Sequence, residues 1–144
     1  MEEINETILI KKIFNASLEE VWKAWTDPEY IMKWFGSDPN GKVLKASIDV
    51  KPDGHFEITF QDSDSTEHTC TGVYKDVQIL KKLAFTWMWK NEPGVESFVT
   101  ILFQTEGYST RMHFEHAGTG TESKHGYYQG WLDTFSKLDR VLST

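Results

Sequence analysis

Polar and apolar residues alternate along most of the chain between Val43 and Ala117, and this period of two predicts six strands. The clearest runs are HFEITFQ, KLAFTWMWK, FVTILFQ and TRMHFEH, each with apolar side chains on one face and mostly polar ones on the other. Short turn-like segments such as KPDGH and NEPG separate the runs, as in an antiparallel meander. A further strand is predicted near the amino-terminal end, where ETILIKKIFN places Ile8 and Ile10 on one side.

Two short helices are predicted between the first and second strands, because the apolar residues there recur at helical spacing. The segment SLEEVWKAW begins with Ser17 and has Glu20 three positions later, which is the spacing of a capping box. The segment DPEYIMKWF has Asp27 as its N-cap and Pro28 at the first helical position.

A long C-terminal helix is predicted for HGYYQGWLDTFSKLDRVL, residues 125–142, with Thr119 and Glu122 as a second candidate capping box before it. At about 100° per residue its large apolar side chains fall within one arc. They are Tyr127, Tyr128, Trp131, Phe135, Leu138 and Leu142. We expect this arc to face the sheet.

Gly130 lies on the flank of that apolar arc, together with Gly126 and Thr134. A glycine inside a helix costs about 1 kcal/mol relative to alanine, so its presence beside Trp131 needs a reason. Either a neighbouring segment, such as the second short helix or an adjacent loop, approaches the helix closely there, or Gly130 keeps the entrance of a cavity clear.

The predicted order is one strand, two short helices, six strands and one long helix, which defines an α+β fold with a seven-stranded antiparallel sheet. The 144 residues suit a single domain over residues 1–144. The long helix is the one long element available to cover the apolar face of the sheet. A curved sheet wrapped around a helix leaves room for a ligand cavity between them.

Composition and charge exclude several classes of function. The formal net charge of -7 argues against a protein that holds nucleic acid or anionic lipid through a basic surface. With Cys70 as its one cysteine the chain forms no internal disulfide, which favours a reducing compartment. No segment has the length of a membrane span, and the polar start MEEINET is unlike a signal peptide, so we predict a cytoplasmic protein without membrane insertion.

Four stretches, in the right order, resemble the domain named for the activator of the heat-shock protein ninety ATPase (AHSA-type), within the START-like or polyketide cyclase-like (SRPBCC) superfamily. They are FNASLEEVWKAWTDPEYIMKWFG, GVYKDVQILKKLAFTWMW, RMHFEHAG and YYQGWLDTFSKLDRVL. The match covers nearly the whole chain and implies a helix-grip fold, in which the sheet grips the C-terminal helix around a cavity. The superfamily includes lipid carriers, hormone receptors, cyclases and a co-chaperone domain, so the fold alone does not fix the function.

The titratable residues form no recognisable metal-binding motif. His113 and His116 are three residues apart, which on a strand places them on opposite faces. His68 and Cys70 share a face, but two ligands make a poor zinc site. We therefore predict no metal and no cofactor, and interpret Cys70 as a small residue of the inner face.

The strongest functional signal is the aromatic inner face. Candidate residues for lining a cavity there are Trp34, Phe56, Ile58, Phe60, Tyr74, Trp87, Trp89, Met112, Phe114, His116, Tyr128, Trp131 and Phe135. Tyr74, Tyr128, His116 and the indole N–H groups are the candidate polar tips among these apolar side chains. His116 has the parity of Met112 and is expected to point inward, either hydrogen-bonded within the core or as a polar handle for a ligand.

These features predict a protein that binds a hydrophobic small molecule, such as a lipid, an aromatic or a polyketide-like compound, rather than an enzyme. One alternative is a cyclase or dehydratase that uses the same cavity, with His116 and Tyr128 as its first candidate groups. The other is a co-chaperone-like interaction module in a stress response, which would contact a chaperone. A homodimer contact is a further hypothesis, through outward apolar residues such as Val95 or Met88.

Overall fold

The computed structural model describes residues 7–118 and 127–143. Within them it has seven strands and three helices, and the predicted α+β class and order of elements are confirmed. The elements are β1 (Thr7–Phe14), α1 (Leu18–Thr26), α2 (Pro28–Trp34), β2 (Lys42–Ile48), β3 (His55–Gln61), β4 (Glu67–Gln78), β5 (Lys82–Trp89), β6 (Glu96–Glu106), β7 (Ser109–Ala117) and α3 (Tyr127–Leu142).

The strands form one sheet in the order β1-β7-β6-β5-β4-β3-β2, and every neighbouring pair is antiparallel. From β2 to β7 the order follows the chain, as short hairpin connections require. The first strand pairs with the last, so α1 and α2 carry the chain from one edge of the sheet to the other. Register shifts between Val43 and Lys45 and between Tyr74 and Asp76 interrupt the ladder, and such irregularities help a sheet to curve.

The caps predicted for the two short helices are confirmed. The Ser17 hydroxyl oxygen accepts a hydrogen bond from the Glu20 backbone N–H at 3.2 Å. The Asp27 carboxylate accepts one from the Glu29 backbone N–H at 2.9 Å. The candidate capping box at Thr119 and Glu122 lies outside the described residues.

The core lies between the concave face of the sheet and the three helices, and aromatic rings fill most of it. Trp25 of α1 is central, with its ring 4.8 Å from that of Trp34, 6.4 Å from Phe114 and 6.1 Å from Phe135. Aromatic pairs at such distances stabilise a core by about 0.5–1.5 kcal/mol beyond their buried area. None of the described helices is long and apolar enough to cross a membrane.

The helix α3 is rotated from the orientation that its large side chains predict. Thr134 and Lys137, on the flank with Gly130, are 4% and 8% exposed, whereas Tyr128 on the opposite flank is 53% exposed. The reason is that α3 packs against α2 as well as the sheet, so its small-residue flank is covered too. The predicted inward position of Tyr128 is therefore wrong.

Candidate functional site

A cavity of about 120 Å³ lies between the first turns of α3, the segment after α2 and the inner face of β3, β4 and β5. We call it the aromatic cavity, because most of its wall is made of rings. It is lined by Phe35, Gly36, Ser37, Phe60, His68, Trp87, Trp89, Tyr127, Gly130, Trp131 and Thr134.

The rings of the wall support one another. Trp87 lies 5.3 Å from Trp89 and 5.3 Å from Trp131 between ring centroids, both in edge-to-face geometry. Trp89 and Tyr127 are nearly parallel, with an interplanar angle of 7°. Because each ring is held by its neighbours, the wall keeps its shape without a ligand, which lowers the entropic cost of binding one.

His68 brings a titratable group to the rim of the aromatic cavity. Its Nε2 atom lies 2.8 Å from Oδ2 of Asp62, and its ring packs 5.3 Å from Phe60 and 6.0 Å from Trp89. A carboxylate bonded to Nε2 favours the tautomer that carries its proton there, which leaves Nδ1 of the neutral ring as an acceptor. This His–Asp pair has the composition of a general base with its positioning carboxylate.

Tyr127, not Tyr128, is the tyrosine of the aromatic cavity. Burial raises the pKa of Tyr127 to about 12, and the nearby indole N–H groups of Trp87 and Trp89 oppose that shift. The phenol therefore keeps its proton at neutral pH. On α3, Tyr127 is four residues before Trp131 and so lies directly above it, whereas Tyr128 is turned away by a further 100°.

Gly130 borders both the aromatic cavity and the segment after α2, but that segment is not close enough to require a glycine. It lines the aromatic cavity, and a Cβ atom built on it would lie 3.9 Å from Cβ of Ser37, in the segment that follows α2. That distance is an ordinary van der Waals contact, so the neighbouring segment is close without being in collision with an added methyl group. The Thr134 hydroxyl donates to the Gly130 carbonyl at 2.7 Å and fixes this flank of α3.

The structure divides the candidate lining residues into three groups. Phe60, Trp87, Trp89 and Trp131 border the aromatic cavity. Phe56, Ile58 and Tyr74 border a separate void of about 20 Å³ in the core, beside Trp87. The remaining inward residues are packed in the core and border neither space: Trp34, Met112, Phe114, His116 and Phe135.

His116 is fully buried, as predicted, but both of its ring nitrogens are used within the protein. The Trp131 indole donates to Nδ1 at 3.0 Å, so Nε2 carries the proton and donates to the Ser97 hydroxyl oxygen at 2.7 Å. The Ser97 hydroxyl lies 3.4 Å from the Trp87 carbonyl oxygen. Burial lowers the pKa of His116 to about 3, so the ring is neutral at physiological pH. His116 fastens α3 to β6 and β7.

Cys70 and the histidines do not assemble into a metal site in the described part of the chain, where no three of the ligand side chains His, Cys, Asp and Glu come together. Cys70 is fully buried, and burial raises the pKa of its thiol. A buried thiol of this kind is a poor nucleophile.

His68 is the titratable residue of the site that sequence reasoning missed, and Phe35, Gly36, Ser37 and Tyr127 are further lining residues absent from the predicted set. The sequence places it on the same face as Cys70, and the register pairs it with Phe60, so the signal for an inward position is present. His68 borders a cavity because α3 begins at that end of the sheet. The periodicity of the sequence does not show where α3 begins relative to the strands.

Comparison with known proteins supports the fold and its family. The family model described as Activator of Hsp90 ATPase homolog 1-like protein matches residues 15–143. Among curated proteins, no sequence matches the chain. The solved structure of an AHSA1-like protein from Aeromonas hydrophila is similar, with 19% identity and a TM-score of 0.81 over 96% of this chain and 92% of that chain.

Two further solved structures share the fold. CalU16 from Micromonospora echinospora has 21% identity and a TM-score of 0.72, over 99% of this chain and 87% of that chain. DynU16, a protein in the dynemicin biosynthetic locus, has 22% identity and a TM-score of 0.80, over 98% of this chain and 48% of that chain.

Proposed function

The chain belongs to the family of Activator of Hsp90 ATPase homolog 1-like proteins, and from this premise we propose that it binds a small, planar, hydrophobic molecule in the aromatic cavity. The observation that carries the proposal is a preformed wall of indole, phenol and phenyl rings, to which His68, Ser37, Thr134 and the Tyr127 hydroxyl add polar groups. Sites for small molecules typically combine an apolar wall with a few well-placed polar groups.

The size of the aromatic cavity favours an aromatic ligand over a lipid. An apolar cavity of about 150 Å³ in another protein holds benzene. At about 120 Å³, the aromatic cavity encloses at most one ring, and a second fused ring would extend through its open side; it is too small for an acyl chain unless the side chains move. DynU16 is a protein of a biosynthetic locus, which agrees with a small organic ligand for a protein of this fold.

His68 favours a ligand that also carries a hydrogen-bond donor. When the ring is neutral and its proton lies on Nε2, toward Asp62, its Nδ1 atom is a hydrogen-bond acceptor. A ligand with a hydroxyl donor at one end, such as a phenol or a naphthol, can bond to this acceptor while its ring lies between the tryptophans. A ligand without the donor would leave the histidine to water and bind less tightly.

The first experiment is native mass spectrometry of the protein as purified, followed by titration with phenol, 1-naphthol, 2-naphthol and naphthalene. Binding is followed by calorimetry and by the fluorescence of Trp87, Trp89 and Trp131, which border the cavity. We expect the naphthols to bind more tightly than naphthalene. If no retained species is found and none of the four compounds binds, the proposal is wrong.

A variant separates cavity binding from binding elsewhere. Gly130→Leu extends a side chain from the cavity wall, whereas Ser136→Leu adds the same side chain on the exposed face of α3. We expect Gly130→Leu to weaken naphthol binding about tenfold or more and Ser136→Leu to leave it unchanged. Equal affinities in the two variants would place the ligand outside the aromatic cavity.

The second candidate function is acid–base catalysis on a bound ligand, which the pairing of His68 with Asp62 favours. The sequence offers His116 and Tyr128 for this work, but both nitrogens of His116 are engaged and Tyr128 faces solvent. His68 is the better candidate for the base. Removing a general base lowers turnover by about 10²–10⁴-fold. His68→Gln and Asp62→Asn would each lower turnover of a bound substrate in that case.

Contact with a chaperone is a further hypothesis, and so is a homodimer contact through Val95 or Met88. Val95 is 65% exposed at the β5–β6 turn, while Met88 is only half-buried beside it. Neither position requires a partner, since single exposed apolar residues are normal. Stimulation of a chaperone ATPase by the wild-type protein would support the chaperone role, and absence of stimulation would contradict it.

A further inference from the structure

A second concave surface lies where the three helices meet, and the segment between α2 and β2 contributes to it as well as to the aromatic cavity. Its volume is about 700 Å³. We call it the basic groove, and it is lined by Glu20, Lys23, Tyr30, Lys33, Pro39, Gly41, Lys137, Arg140, Val141 and Leu142.

The basic groove has the opposite charge from the protein as a whole. Four of its side chains are cationic, Lys23, Lys33, Lys137 and Arg140, and Glu20 is its one carboxylate, in a chain whose net charge is -7. Within the described residues, none of the four cations lies within ion-pair distance of a carboxylate. Asp38 and Asp62 act electrostatically on Lys137 and offset part of its charge, whereas Lys23, Lys33 and Arg140 have no such carboxylate partner among the described residues.

The cations are positioned by contacts that leave their charge available. The Tyr30 ring has the Lys23 ammonium 5.1 Å from its centroid and the Lys33 ammonium 4.7 Å from it, so one ring holds cations from both α1 and α2. Lys137 is 8% exposed and donates one hydrogen bond, to the Asp38 backbone carbonyl at 3.0 Å. An ammonium has three donors, so two remain for a ligand.

The simpler explanation is that these cations stabilise helix ends. Lys23, Lys33 and Arg140 lie in the last turns of α1, α2 and α3, where a cation interacts favourably with the helix dipole. Stabilisation by the helix dipole acts at each helix end independently of the other two. It does not account for the convergence of three helix ends on one groove, or for Lys137, which precedes the last turn of α3 and is buried.

We propose that the basic groove binds a soluble anion that carries two or more phosphoryl groups. Its net formal charge of three matches such an anion better than a single phosphate or carboxylate. An Arg fork and mobile lysine ammonium groups are the side chains that commonly bind phosphoryl oxygens. A long polyanion such as nucleic acid would extend beyond the groove onto an acidic surface, which disfavours it. This inference does not depend on the proposed function of the aromatic cavity.

The test measures binding of inorganic triphosphate, pyrophosphate and orthophosphate to the full chain by calorimetry at low and at physiological salt. The variant is Lys23→Gln with Lys33→Gln. Its control is Lys11→Gln with Lys75→Gln, which removes the same charge from exposed strand positions. We expect triphosphate to bind more tightly than orthophosphate, and its affinity to fall about tenfold or more in the variant but less than about twofold in the control. Affinity should also fall as salt rises.

Four outcomes would overturn the proposal. If wild-type protein binds neither triphosphate nor pyrophosphate, or if the control weakens binding as much as the variant, the proposal is wrong. If the variant lowers the melting temperature but leaves triphosphate affinity unchanged, the lysines serve only their helix ends, which also overturns it. Vesicles containing phosphatidylinositol bisphosphate form a separate arm: binding to them without binding of triphosphate would assign the groove to a membrane headgroup and refute a soluble ligand.

Discussion

Lowering the pH from 7 to 5 should destabilise this protein mainly through His116. The side chain is 0% exposed, and its burial lowers its pKa to about 3 in the folded protein. In the unfolded chain a histidine has a pKa of about 6.5. Between these two values the unfolded state binds a proton that the folded state does not, so stability is full above about pH 6.5 and falls as the pH drops toward 3.

The size of the effect follows from the two pKa values. A pH of 5 lies about 1.5 units below the pKa of histidine in the unfolded chain, and each unit corresponds to about 1.4 kcal/mol. The free energy of unfolding is therefore about 2 kcal/mol lower at pH 5 than at pH 7. Carboxylates with lowered pKa values, such as Asp38 and Asp76, stabilise the fold above their ordinary pKa of 3.8. Their contribution to stability is lost only as the pH falls below that value. The change in stability between pH 5 and pH 7 therefore comes from histidine and not from these carboxylates.

The assay is urea unfolding at pH 7 and pH 5, followed by tryptophan fluorescence, for the wild type and His116→Gln. Glutamine is neutral throughout and offers an oxygen to the Trp131 indole and an amide to Ser97. We expect the free energy of unfolding of the wild type to fall by about 2 kcal/mol between pH 7 and pH 5. The fall in the variant should be smaller by that same amount, because the variant lacks the histidine. Equal losses in both proteins would refute the reasoning. If the variant does not fold, an NMR titration of wild-type His116 decides, because a ring that titrates near pH 6 contradicts its burial.

Three further predictions use the same protein. Gly130→Ala should raise the free energy of unfolding by about 0.5–1 kcal/mol, because alanine favours the helix and its methyl group fits, at 3.9 Å from Cβ of Ser37. A lower free energy of unfolding would mean that the segment containing Ser37 is closer than this. Gly72→Ala should lower it by about 3 kcal/mol or more in urea unfolding, since its Cβ would lie 2.0 Å from the Thr86 carbonyl oxygen, and a neutral result would contradict the strand register. Cys70 should react with a thiol reagent only after denaturation, and rapid labelling of the native protein would contradict its burial.

Most of the fold was predictable because each element has a distinct period and its own start signal. The strand HFEITFQ shows this best: Phe56, Ile58 and Phe60 alternate with polar residues, and all three are buried in β3. The same pattern does not identify the cavity. Phe56 and Phe60 have the same parity and nearly equal burial, yet only Phe60 borders the aromatic cavity. The difference depends on where α3 begins along the strand, which is a tertiary property.

The rotation of α3 was not predictable from its own sequence either. Large side chains define the centre of the apolar arc, and by that measure Tyr128 belongs to the buried face, while Lys137 is a charged residue outside the arc. In the structure Tyr128 is exposed and Lys137 is buried, because α2 and the segment after it cover the flank that carries Gly130 and Thr134. A lysine can be buried there because its ammonium reaches the Asp38 carbonyl.

The two inward histidines show why the candidate site needed the structure. By parity, His68 on β4 and His116 on β7 are equivalent. His116 lies opposite Trp131, whose indole needs an acceptor in the core, so the two satisfy each other and neither is left for a ligand. His68 lies where β3 and β4 approach their connecting turn, and the Asp62 carboxylate of that turn is its partner. A carboxylate leaves the second nitrogen of a neutral ring as an acceptor. The histidine at the rim, not the one at the centre, therefore has the chemistry to recognise a ligand.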